Sequence, residues 1–281
     1  MDEVTTEAVP ETRAARRARR EALLRSPLMP AMATVPRPVV VAVTVVLSFL
    51  LVAAVRTDAV LVAAGLAWMG LLLAWGWPRL LGSSSRFGST LAVAVGGVLA
   101  PVAAVLPDGR PTLRFVPVAL AVGLGFMFGH QIARRDGRPR LTESIGVSSF
   151  GLALVALGTT WLPLLETGAA AEVALVGFVG VAVGSLADLA VGVTRLRPWL
   201  LPVAMVLGGS GALVAASVVG GPPPAVAALT GLLVAAVSHA LRRVLSVLPP
   251  LTAIRCQVAA AAAGVLLPGV VAYGVGLVLV G

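Results

Sequence analysis

The chain has 281 residues, of which 58% are hydrophobic and 12% are charged, and its mean hydropathy is +1.00. Soluble domains carry roughly 25% charged residues, so this composition excludes a soluble globular protein and leaves lipid as the main solvent. The formal net charge is +9, and all 21 basic residues are arginine. We interpret this charge as a topology signal and predict no nucleic-acid partner, because the arginines lie between apolar runs. The single cysteine, Cys256, excludes an intramolecular disulfide.

Residues 1–37 form a polar segment ahead of the first apolar run, and 38–281 form the predicted transmembrane domain. Within the polar segment, Arg13, Arg16, Arg17 and Arg20 would share one face of a helix. We predict a basic, partly disordered cytoplasmic tail that helps to set the orientation of the protein. The alternative is a surface helix lying on anionic lipid.

A transmembrane helix needs about 20 mostly apolar residues, and about nine segments of the chain meet this requirement. Their apolar runs are continuous rather than alternating, which favours helices over the strands of a barrel. We therefore predict an all-α, polytopic bundle of about nine transmembrane helices. In the fourth span, Gly125 and Gly129 predict close contact with a neighbour such as the sixth span. The predicted spans are 38–55, 59–77, 89–106, 115–133, 144–164, 172–193, 199–219, 225–241 and 258–280.

The distribution of arginine predicts the orientation of the bundle. If the N-terminus is cytoplasmic and nine spans alternate, all but three of the 21 arginines lie on the cytoplasmic side. The three exceptions are Arg56, Arg110 and Arg114. Cytoplasmic loops carry such an excess of positive charge, so we predict a cytoplasmic N-terminus and an outward-facing C-terminus. The arginine-only, alanine- and valine-rich composition is typical of a high-GC bacterial genome and predicts a location in the bacterial plasma membrane.

Asp188 is the clearest ionisable residue at membrane depth, in the predicted sixth span. Such groups are costly in a bilayer and are functional candidates by default. Ser185 lies one turn earlier, and glycines lie on or near the same face, so we expect Asp188 to point into the protein. Two interpretations stay open. Asp188 is either a structural carboxylate, hydrogen-bonded across a helix pair or paired with Arg195 or Arg197, or a proton or cation site.

Several other polar residues lie at the predicted depth of Asp188, at the cytoplasmic ends of other spans. They mark either a vestibule open to the cytoplasm or an ordinary membrane interface. The histidine spacing lacks the pattern of a metal site, so the sequence predicts no metal and no cofactor. The residues at this depth are His130, Gln131, Glu143, Ser238 and His239.

The loop between the fourth and fifth spans holds a dense arginine cluster, Arg134, Arg135, Arg138 and Arg140. Guanidinium groups suit phosphate because they donate two parallel hydrogen bonds. The predicted contact is with anionic lipid headgroups at the cytoplasmic face of the bilayer. As topology determinants alone, however, these arginines need no ligand.

The segments FGHQIARRDGRPRLTESIG and VGSLADLAVGVTRLRP resemble, over about 134–197, the phosphatidate cytidylyltransferase family. That family has a lysine-rich loop before a Glu-Gly helix and a later Gly-Asp-Leu segment. This chain lacks the lysines, has Ala187–Asp188 in place of Gly-Asp, and has no counterpart of the closing His-Gly-Asp motif. The resemblance therefore implies a degenerate lipid-modifying enzyme without nucleotide or metal chemistry. The chain also resembles multi-pass integral membrane proteins common in high-GC Gram-positive bacteria.

Two functions of different classes follow from these patterns. The first is permease-like transport of a small solute, with coupling to protons through Asp188. The second is a non-catalytic membrane scaffold or assembly protein with a basic cytoplasmic face. An enzyme is less favoured, and we assign no catalytic residue, because no P-loop, HExxH or GxSxG motif is present.

Overall fold

The computed structural model describes residues 34–106, 110–134 and 140–280, and within these ranges the chain is all helical, with no strand. Short 3-10 helices, Pro163–Glu166, Leu186–Gly192, Arg197–Trp199 and Pro249–Thr252, connect several of the α-helices. The α-helices are α1 Pro38–Val55, α2 Ala59–Leu80, α3 Arg86–Val105, α4 Val116–Ala133, α5 Leu141–Thr159, α6 Gly168–Ser185, α7 Leu200–Val219, α8 Pro224–Leu245, α9 Ile254–Leu266 and α10 Gly269–Leu279.

Nine helical segments in the described part of the chain are long and apolar enough to cross a membrane. This confirms the predicted fold class and agrees with a multi-pass membrane protein. The ninth segment differs from the prediction, because it begins at Ile254 and is divided between α9 and α10. Pro268 separates the two helices and has no backbone N–H to continue the hydrogen-bond ladder. The predicted tail, 1–37, lies outside the described residues apart from 34–37.

The surface of the bundle is apolar, whereas several polar side chains are buried. Large side chains such as Phe49, Trp68 and Val214 are exposed, which suits contact with lipid rather than with water. Inside the bundle, Thr44 and Thr230 are fully buried and donate to carbonyl groups one turn earlier in their own helices. These buried hydroxyl groups are thus satisfied without water.

Glycine allows the helices around the polar site to approach one another closely. A Cβ atom on Gly180 of α6 would lie 2.7 Å from the Cα atom of Gly231 of α8. A Cβ atom on Gly208 of α7 would lie 2.6 Å from the carbonyl oxygen of the same Gly231. Small residues permit such backbone contacts between membrane helices. They fix α8 against α6 and so align the end of α8 with the segment that follows α6.

The prediction for the fourth span was wrong. Helix α4 packs mainly against α3 and also against α5. A Cβ atom on Gly125 or Gly129 would have no neighbour within 4 Å, so these glycines do not mediate a close helix contact. They line an outward-facing groove together with Phe126 and His130. Glycine spacing alone therefore did not identify the packed face of this helix.

Candidate functional site

The segment that carries Asp188 is not a regular α-helix. The sequence predicted one span over 172–193, but the α-helix ends at Ser185 and the chain continues as the 3-10 helix Leu186–Gly192. Turns of 3-10 helix are frequent at the ends of α-helices, but runs longer than three or four residues are uncommon. Nε of Arg197 donates to the carbonyl oxygen of Val191 at 3.0 Å and so holds the end of this helix.

The carboxylate of Asp188 joins the 3-10 helix to α8 through two short contacts. Oδ1 lies 2.6 Å from Nδ1 of His239, and Oδ2 lies 2.6 Å from Nε of Arg242. An ionised carboxylate only accepts hydrogen bonds, so His239 donates from Nδ1. His239 and Arg242 are three residues apart on α8 and therefore project from the same face. Asp188 pairs with Arg242 rather than with Arg195 or Arg197, the partners that the sequence suggested.

The network extends from Arg242 to a third element, α9. Nη1 of Arg242 donates to Oγ of Ser238, and this hydroxyl group donates to the carbonyl oxygen of Gly264 at 2.5 Å. A Cβ atom on Gly264 would lie 3.1 Å from Nη1 of Arg242, so glycine leaves room for the guanidinium group. We refer to Asp188, Ser238, His239 and Arg242 as the polar network.

Exposure differs among the members of the polar network. The side chains of His239 and Arg242 are 5% and 4% exposed, whereas that of Asp188 is 20% exposed. Nη2 of Arg242 is buried and has no hydrogen-bond partner. Buried polar atoms are nearly always paired, so an orphaned guanidinium nitrogen at this position calls for an explanation.

A pocket adjoins the polar network at the end of the bundle where α1 begins and α8 ends. Its cavity volume is about 40 Å³, which is room for about three water molecules. Nε of Arg37 is buried beside this pocket and also has no hydrogen-bond partner. We refer to this cavity as the arginine pocket. It is lined by Val35, Arg37, Val40, Val41, Asp188, Val191, Leu200, His239, Arg242, Arg243, Ser246, Leu251 and Ala260.

Not all the residues predicted at one depth belong to one site. The structure brings Asp188, Ser238 and His239 together, as described above. His130 instead lies beside α3, with its ring centroid 5.7 Å from that of Phe87. Ser185, which the sequence places one turn before Asp188, donates to a carbonyl group of its own helix at 2.7 Å. Of the residues predicted at this depth, only Asp188, Ser238 and His239 therefore belong to the polar network.

Glu143 and the two described arginines of the predicted lipid-binding cluster, Arg134 and Arg140, do not line the arginine pocket. Glu143 lies 2.6 Å from Nε of Arg140, and both side chains are partly exposed. Arg140 has a left-handed backbone at φ 54°, which is uncommon for a residue other than glycine. Nη1 of Arg134 donates to the side chain of Gln131 at 3.2 Å. The other two arginines of the cluster, 135 and 138, lie outside the described residues.

A serine cluster that the sequence analysis did not single out joins the α2–α3 loop to α5. Oγ of Ser144 lies 2.7 Å from Oγ of Ser84 and accepts a hydrogen bond from the backbone N–H of Ser85 at 3.1 Å. Oγ of Ser83 lies 2.9 Å from that of Ser89. The run of three serines at 83–85 was the available signal. The serine hydroxyl groups find their hydrogen-bond partners within the cluster, so we assign it a structural role.

The sequence analysis also missed the roles of Arg37 and Arg242. Both had been assigned only to the positive charge of the cytoplasmic face. The available signal was the order of Ser238, His239 and Arg242, which places a hydroxyl, an imidazole and a guanidinium group within one helical turn. The spacing of these residues along α8 does not show which acidic side chain they contact.

The described residues contain no group of three or more His, Cys, Asp or Glu side chains that could hold a metal ion. No protein-family model, no curated protein and no solved structure matches the chain. Functional assignment therefore rests on the geometry of the polar network and the arginine pocket.

Proposed function

We propose that the protein is a permease-like transporter for a small solute, with Asp188 as its proton-responsive group. The observation that supports this proposal is a carboxylate within a candidate membrane span, bridged to histidine and arginine beside a pocket that has room for water. Ionisable residues in this setting are costly, and they commonly mark proton relays or solute pathways in transporters.

The geometry suggests how a proton could change the state of the site. Protonation of Asp188 would weaken its attraction to Arg242 and remove one acceptor position from the carboxylate. The 3-10 helix would then lose part of its link to α8, and this irregular segment is the element most suited to move. A transporter needs such a two-state element, whose equilibrium is shifted by the coupled ion.

The orientation and the location are parts of the same proposal. With a cytoplasmic N-terminus, the arginine pocket opens toward the cytoplasm, because it lies at the beginning of α1. The positive-inside distribution of arginine supports this orientation. The cell membrane in question would be the bacterial plasma membrane.

The test is proton-coupled flux into proteoliposomes that contain the full chain and a pH-sensitive dye. A panel of small solutes, including inorganic phosphate, acetate and neutral amino acids, is added one at a time, and any active solute is retested with two variants. Asp188→Asn should abolish coupled uptake, whereas Glu143→Gln should retain it, because Glu143 lies outside the polar network. Wild-type rates in Asp188→Asn, or no uptake with any solute, would count against transport.

A second candidate is a membrane scaffold or assembly protein. One observation favours it: both oxygens of Asp188 are engaged, and the polar network ties the 3-10 helix, α8 and α9 together. Such a link serves packing as well as transport. In this case Asp188→Asn should lower stability or alter assembly in detergent, and no solute should be taken up by the wild-type protein.

A further inference from the structure

We propose that the arginine pocket binds a phosphate group. The pocket combines two guanidinium groups, from Arg37 and Arg242, with a single carboxylate, from Asp188. Guanidinium groups are the preferred partners of phosphate in proteins because their N–H groups match its oxygens. The positive charge of this pocket therefore exceeds its negative charge even when the third arginine of the lining is not counted.

Unpartnered donors supply the independent observation. The side chain of Arg242 is only 4% exposed, and its Nη2 atom has no hydrogen-bond partner. Nε of Arg37, on a different element of the same pocket, is buried and unpartnered as well. Leaving such donors unsatisfied is costly, and both residues line the same pocket, so an anionic oxygen group bound there would offer them acceptors.

Asp188 does not oppose this assignment. Both of its oxygens already accept hydrogen bonds, from His239 and Arg242, and the charges of Arg37, Arg242 and Asp188 together leave the pocket one positive charge in excess. The contact with Nε fixes the plane of the Arg242 guanidinium group, and Nη2, which lies on the same edge of that group as Nε, has no hydrogen-bond partner of its own. Asp188 thus positions Arg242, and a phosphate group would have to reach Nη2 from the side of the pocket that the carboxylate leaves open.

The rest of the lining determines what the phosphate group can carry. Val40, Leu200 and Leu251 make much of the wall apolar, and the pocket lies at one end of the spans. Basic pockets between helix ends are known to bind lipid headgroups. The phosphate could belong to an anionic lipid or to a free solute, since the polar contacts would be the same.

This inference rests on the proposed function only where it names phosphate as a class of transported solute. Binding of phosphate to the arginine pocket can be measured without measuring transport. The purified full chain in neutral detergent is titrated calorimetrically with inorganic phosphate, and with sodium chloride of equal ionic strength as the control for screening. In parallel, the thermal unfolding midpoint is measured in phosphatidylcholine vesicles with and without phosphatidylglycerol. Saturable phosphate binding identifies a free solute, and stabilisation by phosphatidylglycerol alone identifies a lipid headgroup.

Two variants test whether the arginine pocket is responsible. Arg37→Gln should weaken the observed binding about tenfold, the value of one charge-assisted hydrogen bond. Arg79→Gln is the matched control, because Arg79 is exposed on α2 and does not line the pocket. Arg37 lies ahead of α1 and outside the polar network, so its replacement should leave the fold intact.

The proposal is overturned if neither phosphate nor phosphatidylglycerol has an effect, or if the two variants weaken binding equally. Failure of this inference is distinct from failure of the proposed function. Uptake of an uncharged solute without phosphate binding would contradict the phosphate site and support transport. Phosphate binding without uptake of any solute would support the site and contradict transport.

Discussion

Removing the charge of Asp188 while Arg242 remains should be strongly destabilising. Deleting one partner of a buried ion pair costs about 3–5 kcal/mol, because it leaves an uncompensated charge. The Asp188 side chain is 20% exposed. We therefore expect Asp188→Asn to lower the free energy of unfolding by about 3 kcal/mol, near the lower end of this range. Arg242→Met should cost less, about 2 kcal/mol, because His239 still donates to the carboxylate.

The double variant Asp188→Asn/Arg242→Met should recover much of this loss, because no buried charge remains. We expect the double variant to be more stable than the sum of the single variants by about 2 kcal/mol, within the range for residues in one network. The free energies of unfolding are measured by reversible denaturation in mixed micelles. Additive effects of the two substitutions, to within about 0.5 kcal/mol, would refute the argument that these groups form a buried pair.

Three further predictions concern packing and pairing. Gly129→Ala, with nothing within 4 Å of the added Cβ atom, should raise the free energy of unfolding by up to about 1 kcal/mol through helix propensity. Gly264→Ala should show no such gain, because its Cβ atom would lie 3.1 Å from Nη1 of the buried Arg242. Trp161→Phe should cost at least about 1 kcal/mol in the same assay, because its indole N–H donates to a backbone carbonyl of α9 at 3.2 Å. Glu143→Gln should cost less than about 1 kcal/mol, since its ion pair is partly exposed, and a larger loss would contradict this assignment.

Much of the fold could be predicted because hydrophobic runs of membrane length are a strong signal. The predicted first span, 38–55, matches α1 residue for residue, and the fourth, 115–133, differs from Val116–Ala133 by one residue. The inward position of Asp188 also followed from sequence, because a charged group is costly against lipid. The span boundaries and the inward position of Asp188 follow from the composition and from the order of residues within each segment.

The parts that the sequence missed depend on contacts between distant residues. Asp188 and Arg242 are 54 residues apart, and their pairing depends on how α6, α7 and α8 close around glycine contacts. Glycine spacing predicted a packed face correctly for the sixth span, where Gly180 contacts Gly231, but wrongly for Gly125 in the fourth, because the spacing does not show whether a neighbouring helix is present. The 3-10 helix after Ser185 was also missed, since no proline marks its start and its one charged residue, Asp188, had been assigned to a continuous span.

Water access to position 188 tests the central claim most directly, namely that the polar network faces an aqueous pocket. Cysteine is placed at 188 in a Cys256→Ser background and treated with a membrane-impermeant maleimide on vesicles of each orientation. Ser246→Cys, which lies in the pocket lining, is the reactive control, and Ser238→Cys, whose position is fully buried, is the unreactive control. We predict rapid labelling at 188 from one side of the membrane. No labelling at 188 while position 246 reacts would mean that Asp188 is sealed between helices, and would contradict the account.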